Sequence, residues 1–297
     1  MHSLHSITDF IRWGASRFHE AGLFFGHGTD NAIDEAAALV LHALHLPPDL
    51  PGAWFSSNLT EQEREKIIGL VERRIRERIP APYLTGEAWF AGLRFHVNQH
   101  VLIPRSPIAE LLEGGFSPWI EPGRVVRLLD LCCGSGCMGI AAAAYLPECH
   151  VDLADISAQA LEVARTNAHE HGLESRVKVI ESDLFSALGK SRYDVILSNP
   201  PYVSAAEMAA LPDEYSHEPV LALQADDEGM AIVAQILKQA SRHLEPGGIL
   251  VMEVGKSADA LIRRYPKVPF LWIDFERGGE GVFLFTAEEL EKYDDYF

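Results

Sequence analysis

Long apolar runs are absent from this sequence of 297 residues. No stretch approaches the roughly 18 consecutive apolar residues that a membrane-spanning helix requires. The first residues, MHSLHSITDFIRWG, also lack the basic start and apolar centre of a secretory leader. We therefore expect a cytoplasmic protein with no membrane partner, folded as one large domain or two ordinary ones.

Cysteine is also scarce, and its placement argues against disulfides and against a zinc site. Of the four cysteines, Cys132, Cys133 and Cys137 fall within one glycine-rich stretch, which is a poor framework for cross-links. A zinc site draws its ligands from separate arms of the chain, and this run has no second pair. We expect reduced thiols that pack the loop, and no metal.

Basic residues are also few compared with acidic ones. Lys and Arg number 25 against 43 Asp and Glu, a net charge of −18, and the excess lies in residues 104–297, where 16 oppose 31. A surface of this charge disfavours direct binding to naked nucleic acid. It serves either to keep the protein soluble or to attract a basic protein partner.

The periodicity of apolar residues divides the chain into three parts. Residues 1–84 are helical from Ile7 to about Ile79, with Thr29 or Asp30 as a cap and a capping box at Thr60–Glu63. Residues 85–124 suggest a short hairpin and linker. Residues 125–297 alternate strands with helices, which predicts an α/β domain with a doubly wound parallel sheet. WIDFERGGEGVFLF looks like a final antiparallel hairpin, and EELEKYDDYF like a solvated end.

A glycine-rich turn follows the first strand of this sheet. Gly134, Gly136 and Gly139 satisfy the pattern G-x-G-x-x-G, and Asp155 comes 21 residues after Gly134, at the end of the second strand. In dinucleotide-binding sites such glycines admit the pyrophosphate and the acid binds the ribose hydroxyls. S-adenosylmethionine needs nearly the same geometry, so the glycine pattern alone leaves both ligands open.

Two further carboxylates favour S-adenosylmethionine. Asp130 ends the first strand, where its charge suits an ammonium group and would repel a pyrophosphate. Asp183 follows the third strand and can accept a hydrogen bond from an adenine amino group. Either acid alone could be a cap or a surface charge. Ligands of open α/β sheets bind where the strands end, however, so the joint placement predicts one cofactor site.

The fourth strand runs into Asn199-Pro200-Pro201-Tyr202. The prolines remove two backbone donors and restrict φ, which leaves the Pro200 carbonyl as an acceptor. That carbonyl and the Asn199 side-chain oxygen would converge on one NH₂ group, while Tyr202 would offer a flat face to a planar amide or base. The stretch therefore predicts a grip on a planar NH₂ group beside the methyl donor, with an ordinary Asn-Pro turn as the alternative.

DLCCGSG together with NPPY resembles the amino-methyltransferases that use S-adenosylmethionine. The upstream segment PYLTGEAWFAGLRFHVNQHVLIPR is similar to the HemK-type protein glutamine methyltransferases, and that resemblance covers nearly the whole chain. RSPIAELLEGGFSPWI and LPDEYSHEPVLAL resemble the branch that methylates a glutamine of ribosomal large-subunit protein three. The branch acting on release factors usually has Pro-x-Thr-Glu after the Arg, where this chain has Ser106-Pro107-Ile108. Cys133 stands where the family more often has Thr or another small residue.

The resemblance implies a seven-stranded, Rossmann-like class I methyltransferase domain with a small helical N-terminal domain for substrate choice. The cofactor would be S-adenosyl-L-methionine, and its expected contacts are Asp130, Cys133, Gly134, Ser135, Gly136, Asp155, Ile156, Asp183, Leu184 and Asn199. The catalytic residues would be Asn199, Pro200, Pro201 and Tyr202. The expected substrate is the side-chain amide nitrogen of a glutamine in a basic ribosomal protein. Release factors, an adenine of nucleic acid and a non-enzymatic role in ribosome assembly remain alternatives.

Two other stretches carry weaker expectations. His217 and Glu218 could line the substrate groove or form a structural turn before Pro219. The run RRIRER, Arg73–Arg78, is expected to be mostly a solvated helix face, and it is where a contact with ribosomal RNA would occur.

Overall fold

The computed structural model describes residues 4–297, which form two compact units. The smaller unit runs to Ala88 and includes Pro212–His217, and the larger comprises Trp89–Leu211 and Glu218–Phe297. The first boundary falls a few residues beyond the predicted end of the helical domain. None of the helices within the described range is long and apolar enough to span a membrane.

The smaller unit is a bundle of helices that share one apolar core. Its helices are α1 (Ile7–Glu20), α2 (Ala32–Ala43), α3 (Glu61–Glu77) and the short α4 (Ala81–Thr85). The buried core of the bundle includes Phe10, Phe18, Leu39, Ile67 and Val71. The predicted capping box of α3 is confirmed, because the Thr60 hydroxyl accepts from the Glu63 N–H and the Glu63 carboxylate accepts from the Thr60 N–H.

The start of α2 differs from the prediction, which placed the cap at Thr29 or Asp30. Asn31 is the cap: its side-chain oxygen accepts hydrogen bonds from the N–H groups of Ile33 (3.0 Å) and Asp34 (2.9 Å). The prediction was wrong because three adjacent residues are all favourable caps. Only the backbone geometry distinguishes them.

Arg74 is the exception in the run Arg73–Arg78, which was predicted to be mostly a solvated face. Its side chain is fully buried in the smaller unit, where Nε lies 2.6 Å from Glu35 Oε1 and Nη1 lies 3.3 Å from Glu214 Oε1. Arg74 follows the buried Val71 by one helical turn, so the period of α3 places it on the inward face. Two carboxylates then satisfy a charge that would be costly to bury alone.

Beyond the smaller unit the chain forms a short hairpin and a seven-stranded sheet. The predicted hairpin is confirmed as β1 (Glu87–Phe90) and β2 (Leu93–His96). The sheet strands are β3 (Arg127–Leu131), β4 (His150–Asp155), β5 (Val177–Glu181), β6 (Tyr193–Ser198), β7 (Leu244–Glu253), β8 (Leu271–Trp272) and β9 (Val282–Thr286). Their spatial order is β5-β4-β3-β6-β7-β9-β8. Strands β3–β7 are parallel, and β9 is antiparallel to both of its neighbours. The predicted doubly wound, Rossmann-like architecture with a final antiparallel hairpin is confirmed.

Helices cover both faces of this sheet. They are α5 (Ala109–Glu113), α6 (Cys137–Tyr145), α7 (Ala158–Glu170), α8 (Ala205–Met208), α9 (Val220–Leu223), α10 (Ala231–Ala240), α11 (Ala258–Arg264) and α12 (Ala287–Tyr293). On β3, Leu128 shares a buried cluster with Ile140 of α6, and Leu129 shares another with Val233 of α10. Successive side chains of a strand point to opposite faces, so a strand covered on both sides needs an almost unbroken apolar sequence.

The acidic segment 288–297 is mostly exposed, as predicted, but it is anchored to the sheet. Thr286 caps α12 through a capping box with Glu289, and Leu290 is only 1% exposed within the same buried cluster as Phe285. Phe297 packs partly buried against that cluster. Apolar residues spaced along an otherwise acidic sequence were enough to anchor the helix to the sheet.

Candidate active site

A cavity of about 290 Å³ opens at the carboxyl edge of the sheet, near the lower end of the size range for small-molecule clefts. Its lining gathers predicted residues from four successive strand ends: Cys133, Gly134, Ser135, Asp155, Ile156, Asp183, Leu184, Asn199 and Pro201. Asp130, Gly136, Pro200 and Tyr202 were also predicted, but they do not line the cavity wall. The parallel strands therefore bring together most of the residues that the strand-end rule selected.

The turn after β3 owes its shape to left-handed backbone and to one close approach. Cys132, Gly134 and Gly136 have φ values of +61°, +54° and +76°. At Gly139 a Cβ atom would stand only 2.3 Å from Cδ2 of Leu153 on β4. The third glycine of the pattern therefore lets α6 lie against the sheet, as the dinucleotide-type turn requires. The left-handed Cys132 is a non-glycine residue held in a sparsely populated conformation beside the site.

Asp130 lies beneath this turn with no exposed surface. Its Oδ2 accepts a hydrogen bond from the Gly139 N–H at 2.8 Å, while Oδ1 is buried and has no partner among the described residues. Burial raises the pKa of Asp130 to about 7, a rise that the Gly139 bond opposes and the charge of Asp155 reinforces. A buried carboxyl oxygen without a donor suits a cationic ligand group.

Asp155, at the end of β4, fixes the glycine turn, and its carboxylate oxygens can still accept further hydrogen bonds. Its Oδ2 accepts from the Gly134 N–H and its Oδ1 from the Ser157 N–H, both at 2.9 Å. Burial raises the pKa of this carboxyl, and those backbone bonds partly oppose the rise. Each carboxylate oxygen has two lone pairs, so one on each remains for a pair of ligand hydroxyls.

Two apolar side chains and one acid complete this half of the cavity. Ile156 is 53% exposed although it is apolar, and Leu184 is buried in a left-handed conformation with φ of +46°. The Ser182 hydroxyl holds that conformation by donating to the Leu184 carbonyl at 2.6 Å. The exposed Asp183 lines the same cavity. Two apolar walls next to an acceptor suit a flat, amino-bearing ring.

The Asn199–Tyr202 turn begins beside the glycine turn. Ser198 is buried and donates its hydroxyl to the Leu131 carbonyl at 2.8 Å, which ties the end of β6 to the end of β3. Asn199 is half-buried in the cavity lining, Pro200 is buried behind it, and Pro201 lines the cavity again. Tyr202 turns away and donates its hydroxyl to Glu253 at 3.0 Å.

The opposite wall was not anticipated from the sequence. It comes from residues 100–106 together with Pro219, Leu221 and Ala222. Arg105 and Glu218 connect these two segments, since Nη1 lies 2.6 Å from Oε1 and Nη2 lies 2.8 Å from Oε2. Glu218 thus has a structural role, and neither it nor His217 lines the cavity.

Asn167 of α7 is a second residue that the sequence did not single out. It is fully buried; its side-chain oxygen accepts from the His96 N–H at 2.7 Å, and its amide donates to the carbonyls of His96 (3.0 Å) and Ser135 (2.9 Å). One side chain therefore holds both strand β2 and the glycine turn. A lone Asn inside an amphipathic helix gives no sequence signal for such a role.

The cysteines of the turn pack rather than react. Cys133 and Cys137 are buried in the core cluster beneath α6. Burial raises the pKa of Cys137 to about 12 and also raises the pKa of Cys133. The thiolate is the reactive form of cysteine, so these side chains are poor nucleophiles at neutral pH.

The residues present fit S-adenosylmethionine. The unpartnered oxygen of Asp130 suits an ammonium, Asp155 suits ribose hydroxyls, and Ile156 with Leu184 suits the faces of an adenine. Asn199 follows the neighbouring strand in the same cavity, where its amide oxygen can accept from an NH₂ group. The arrangement can therefore hold a methyl donor and an amino-bearing acceptor side by side.

Known proteins are similar to this chain in sequence and in fold. Residues 9–86 match the family described as PrmC N-terminal domain, and residues 120–213 match Methyltransferase small domain. The ribosomal protein uL3 glutamine methyltransferase of Xanthomonas campestris pv. campestris is 51% identical over 288 residues, which cover 97% of this chain and 93% of that protein. The protein of the same description from Bordetella pertussis is 46% identical over 288 residues, covering 97% of both.

Among solved structures, the hMettl16 catalytic domain in complex with a 3′UTR hairpin has a TM-score of 0.50 at 17% sequence identity. The match covers 85% of this chain and 91% of that one. At this identity the likeness concerns the fold alone.

Proposed function

The chain belongs to the family of ribosomal protein uL3 glutamine methyltransferases, and on that premise we propose that it methylates the side-chain amide nitrogen of one glutamine in uL3. The observation that carries the proposal is the shared cavity: Asn199 lines it together with Gly134 and Asp155 of the expected cofactor site. The acceptor of the methyl group and its donor would then meet at one strand edge.

The proposed cofactor is S-adenosylmethionine, which when bound supplies an electrophilic methyl group on a sulfonium. Asp130 would hold its ammonium, Asp155 its ribose, and Asp183 with Ile156 and Leu184 its adenine. Cys133, Ser135 and Gly136 belong to the turn that would lie along it. The fit is supported by the unpartnered Asp130 oxygen under that turn.

The chemical difficulty lies in the glutamine amide, whose nitrogen lone pair is delocalised into its carbonyl. We assign the Asn199 side-chain oxygen and the Pro200 carbonyl as acceptors for the two N–H groups. Positive charge develops on that nitrogen as it attacks, and fixed neutral acceptors stabilise it. Placement of the amide beside the methyl group lowers the activation free energy further, because the two reacting groups are already close and aligned. Pro201 would form part of the wall against which the amide lies, and Tyr202 would support the turn.

The substrate class is supported by charge. Residues 104–297 carry 31 acidic against 16 basic residues, which favours a basic ribosomal protein over a phosphate backbone. We place this encounter in the cytoplasm, before or during ribosome assembly, when the target glutamine of uL3 would still be accessible. A contact of Arg73 or Arg76 with ribosomal RNA would be secondary, because both side chains pair with Glu77.

Mass spectrometry of ribosomal proteins and release factors from a deletion strain tests the assignment. We expect uL3 to lose one methyl group at a single glutamine while the release factors stay unchanged. Restoration by the wild-type gene and methylation of purified uL3 by the purified protein complete the test. Loss of the methyl group from a release factor, with uL3 unchanged, would reject uL3 as the substrate.

A further inference from the structure

Glu253 ends β7, beside the strand that leads into Asn199. Ser198 and Met252 are partners in the parallel register, so Asn199 and Glu253 are the next residues of the two strands. Glu253 is only 8% exposed. Its Oε1 accepts a hydrogen bond from the Tyr202 hydroxyl at 3.0 Å, and its Oε2 is buried with no hydrogen-bond partner among residues 4–297.

Tyr202 is held at three places, and the hydrogen bond to Glu253 is one of them. A Cβ atom on Gly255 would stand 2.9 Å from the Tyr202 hydroxyl oxygen and 3.0 Å from its ring, so only glycine leaves room for the ring there. The Ser257 hydroxyl donates to the Tyr202 carbonyl at 2.8 Å. These two contacts confine the backbone and one edge of the ring, and the Glu253 carboxyl holds the hydroxyl end of the side chain.

The same carboxyl faces the wall of the cavity. Burial raises the pKa of Glu253, while the hydroxyls of Ser106 and Tyr202 and the charge of Arg105 oppose that rise. Ser106 and Arg105 belong to the wall segment, and Ser106 is itself buried. Glu253 therefore interacts both with the Asn199–Tyr202 turn and with the wall segment.

A buried carboxyl with one unpartnered oxygen lowers the stability of the folded protein, which is a high cost for a group that only anchors a tyrosine. Leaving a buried polar atom unpaired costs stability, and so does removing an ionisable group from water. Groups retained at such a cost concentrate at functional sites.

We propose that Glu253 is a positioning residue for methyl transfer, holding Tyr202 and thereby the acceptors of Asn199 and Pro200 in register with the cavity wall. This inference rests on the proposed function, because it concerns how the turn presents its acceptors to the glutamine amide. The acceptors act most strongly on the transition state, so Glu253 affects kcat more than KM.

The test is a double-mutant cycle in the full-length protein, with purified uL3 as the substrate. Glu253→Leu and Tyr202→Phe should each lower kcat about tenfold, with KM for uL3 and the affinity for S-adenosylhomocysteine within about threefold of wild type. The double variant should be no slower than the slower single variant, because both remove one interaction. Glu253→Gln keeps the acceptor and should restore kcat to within about threefold of wild type.

Tyr193→Phe is the matched control. Its hydroxyl donates to Asp152 at 2.7 Å, the same chemistry at the amino end of β6, and its loss should lower Tm without changing kcat. The inference would be overturned if the losses of kcat in the two single variants multiplied in the double variant. It would also be overturned if Tyr202→Phe, like Tyr193→Phe, lowered Tm and left kcat unchanged. Wild-type protein that leaves uL3 unmethylated would instead contradict the proposed function, and this inference with it.

Discussion

Arg105 and Glu218 meet in a two-point ion pair across the wall of the cavity, with contacts of 2.6 Å and 2.8 Å. The Glu218 side chain is fully buried and that of Arg105 is 24% exposed. Glu218 also accepts from the Ile103 N–H at 3.1 Å. Paired geometry of this kind holds two segments far apart in sequence at one place.

Removing one partner should be strongly destabilising. Arg105→Ala leaves the Glu218 carboxylate buried without its counter-charge, and we expect the free energy of unfolding to fall by about 3 kcal/mol. Urea denaturation measures this loss. Arg277→Ala removes an exposed partner of Glu113 and should cost less than about 1 kcal/mol. Equal losses of unfolding free energy in the two variants would contradict the prediction that the buried pair contributes more to stability than the exposed one.

Asp130 should make the stability of the ligand-free protein depend on pH. Its pKa is about 7 in the folded protein against an ordinary 3.8, so the folded state retains a proton that the unfolded state releases. The contribution is fully present below about pH 4 and is lost as pH rises towards 7. Asp130→Asn should therefore show a smaller fall in the free energy of unfolding between about pH 5 and pH 7 than wild type. Parallel curves for the two proteins would contradict this prediction.

Asn199→Ala should separate chemistry from cofactor binding. Loss of the acceptor should lower kcat for uL3 methylation by at least about a hundredfold. Affinity for S-adenosylhomocysteine, measured by isothermal titration, should stay within about tenfold, which is less than ~1.4 kcal/mol. Asn58→Ala, at an exposed position of the smaller unit, should leave both unchanged. If Asn199→Ala rescues every phenotype of a deletion strain, a non-enzymatic role in assembly is the better explanation.

Alanine substitution at two glycines should change the stability of the protein in opposite directions. Gly139→Ala places a Cβ atom 2.3 Å from a Leu153 methyl group, so overpacking should cost about 1–3 kcal/mol and lower Tm. Gly69 lies exposed within α3 with open space around it, and Gly69→Ala should stabilise that helix by about 0.5–1 kcal/mol. Scanning calorimetry distinguishes the two. A neutral Gly139→Ala would mean that α6 shifts to accommodate the methyl group.

The sequence was most informative where local pattern and strand order suffice. Near-continuous apolar runs located the central strands, and the rule that ligands bind at strand ends selected Asp155, Asp183 and Asn199, which the structure gathers in one cavity. Their roles remain predictions. It was least informative where partners are distant in sequence: Asn167 meets Ser135 and His96 only because α7 packs beside the turn. No periodicity encodes such a contact.

The opposite wall shows a second limit. Residues 100–106 lie within 85–124, for which the sequence predicts a hairpin and a linker. Their place is set by Glu218, more than a hundred residues later in the chain. Arg74 was misjudged for a similar reason, because charge suggested solvent while the turn of α3 and two remote carboxylates supplied a buried site.

The order of the last strands governs how the sheet can be completed during synthesis. β9 lies between β7 and β8 although β8 is made first. When Leu271–Trp272 have been made, their native partner β9 does not yet exist, and β7 keeps an open row of backbone donors and acceptors. The sheet closes only when Val282–Thr286 leave the ribosome and β9 pairs with both neighbours at once. Until then the exposed edge can pair wrongly, and the pairing of β9 is the step that ends this exposure.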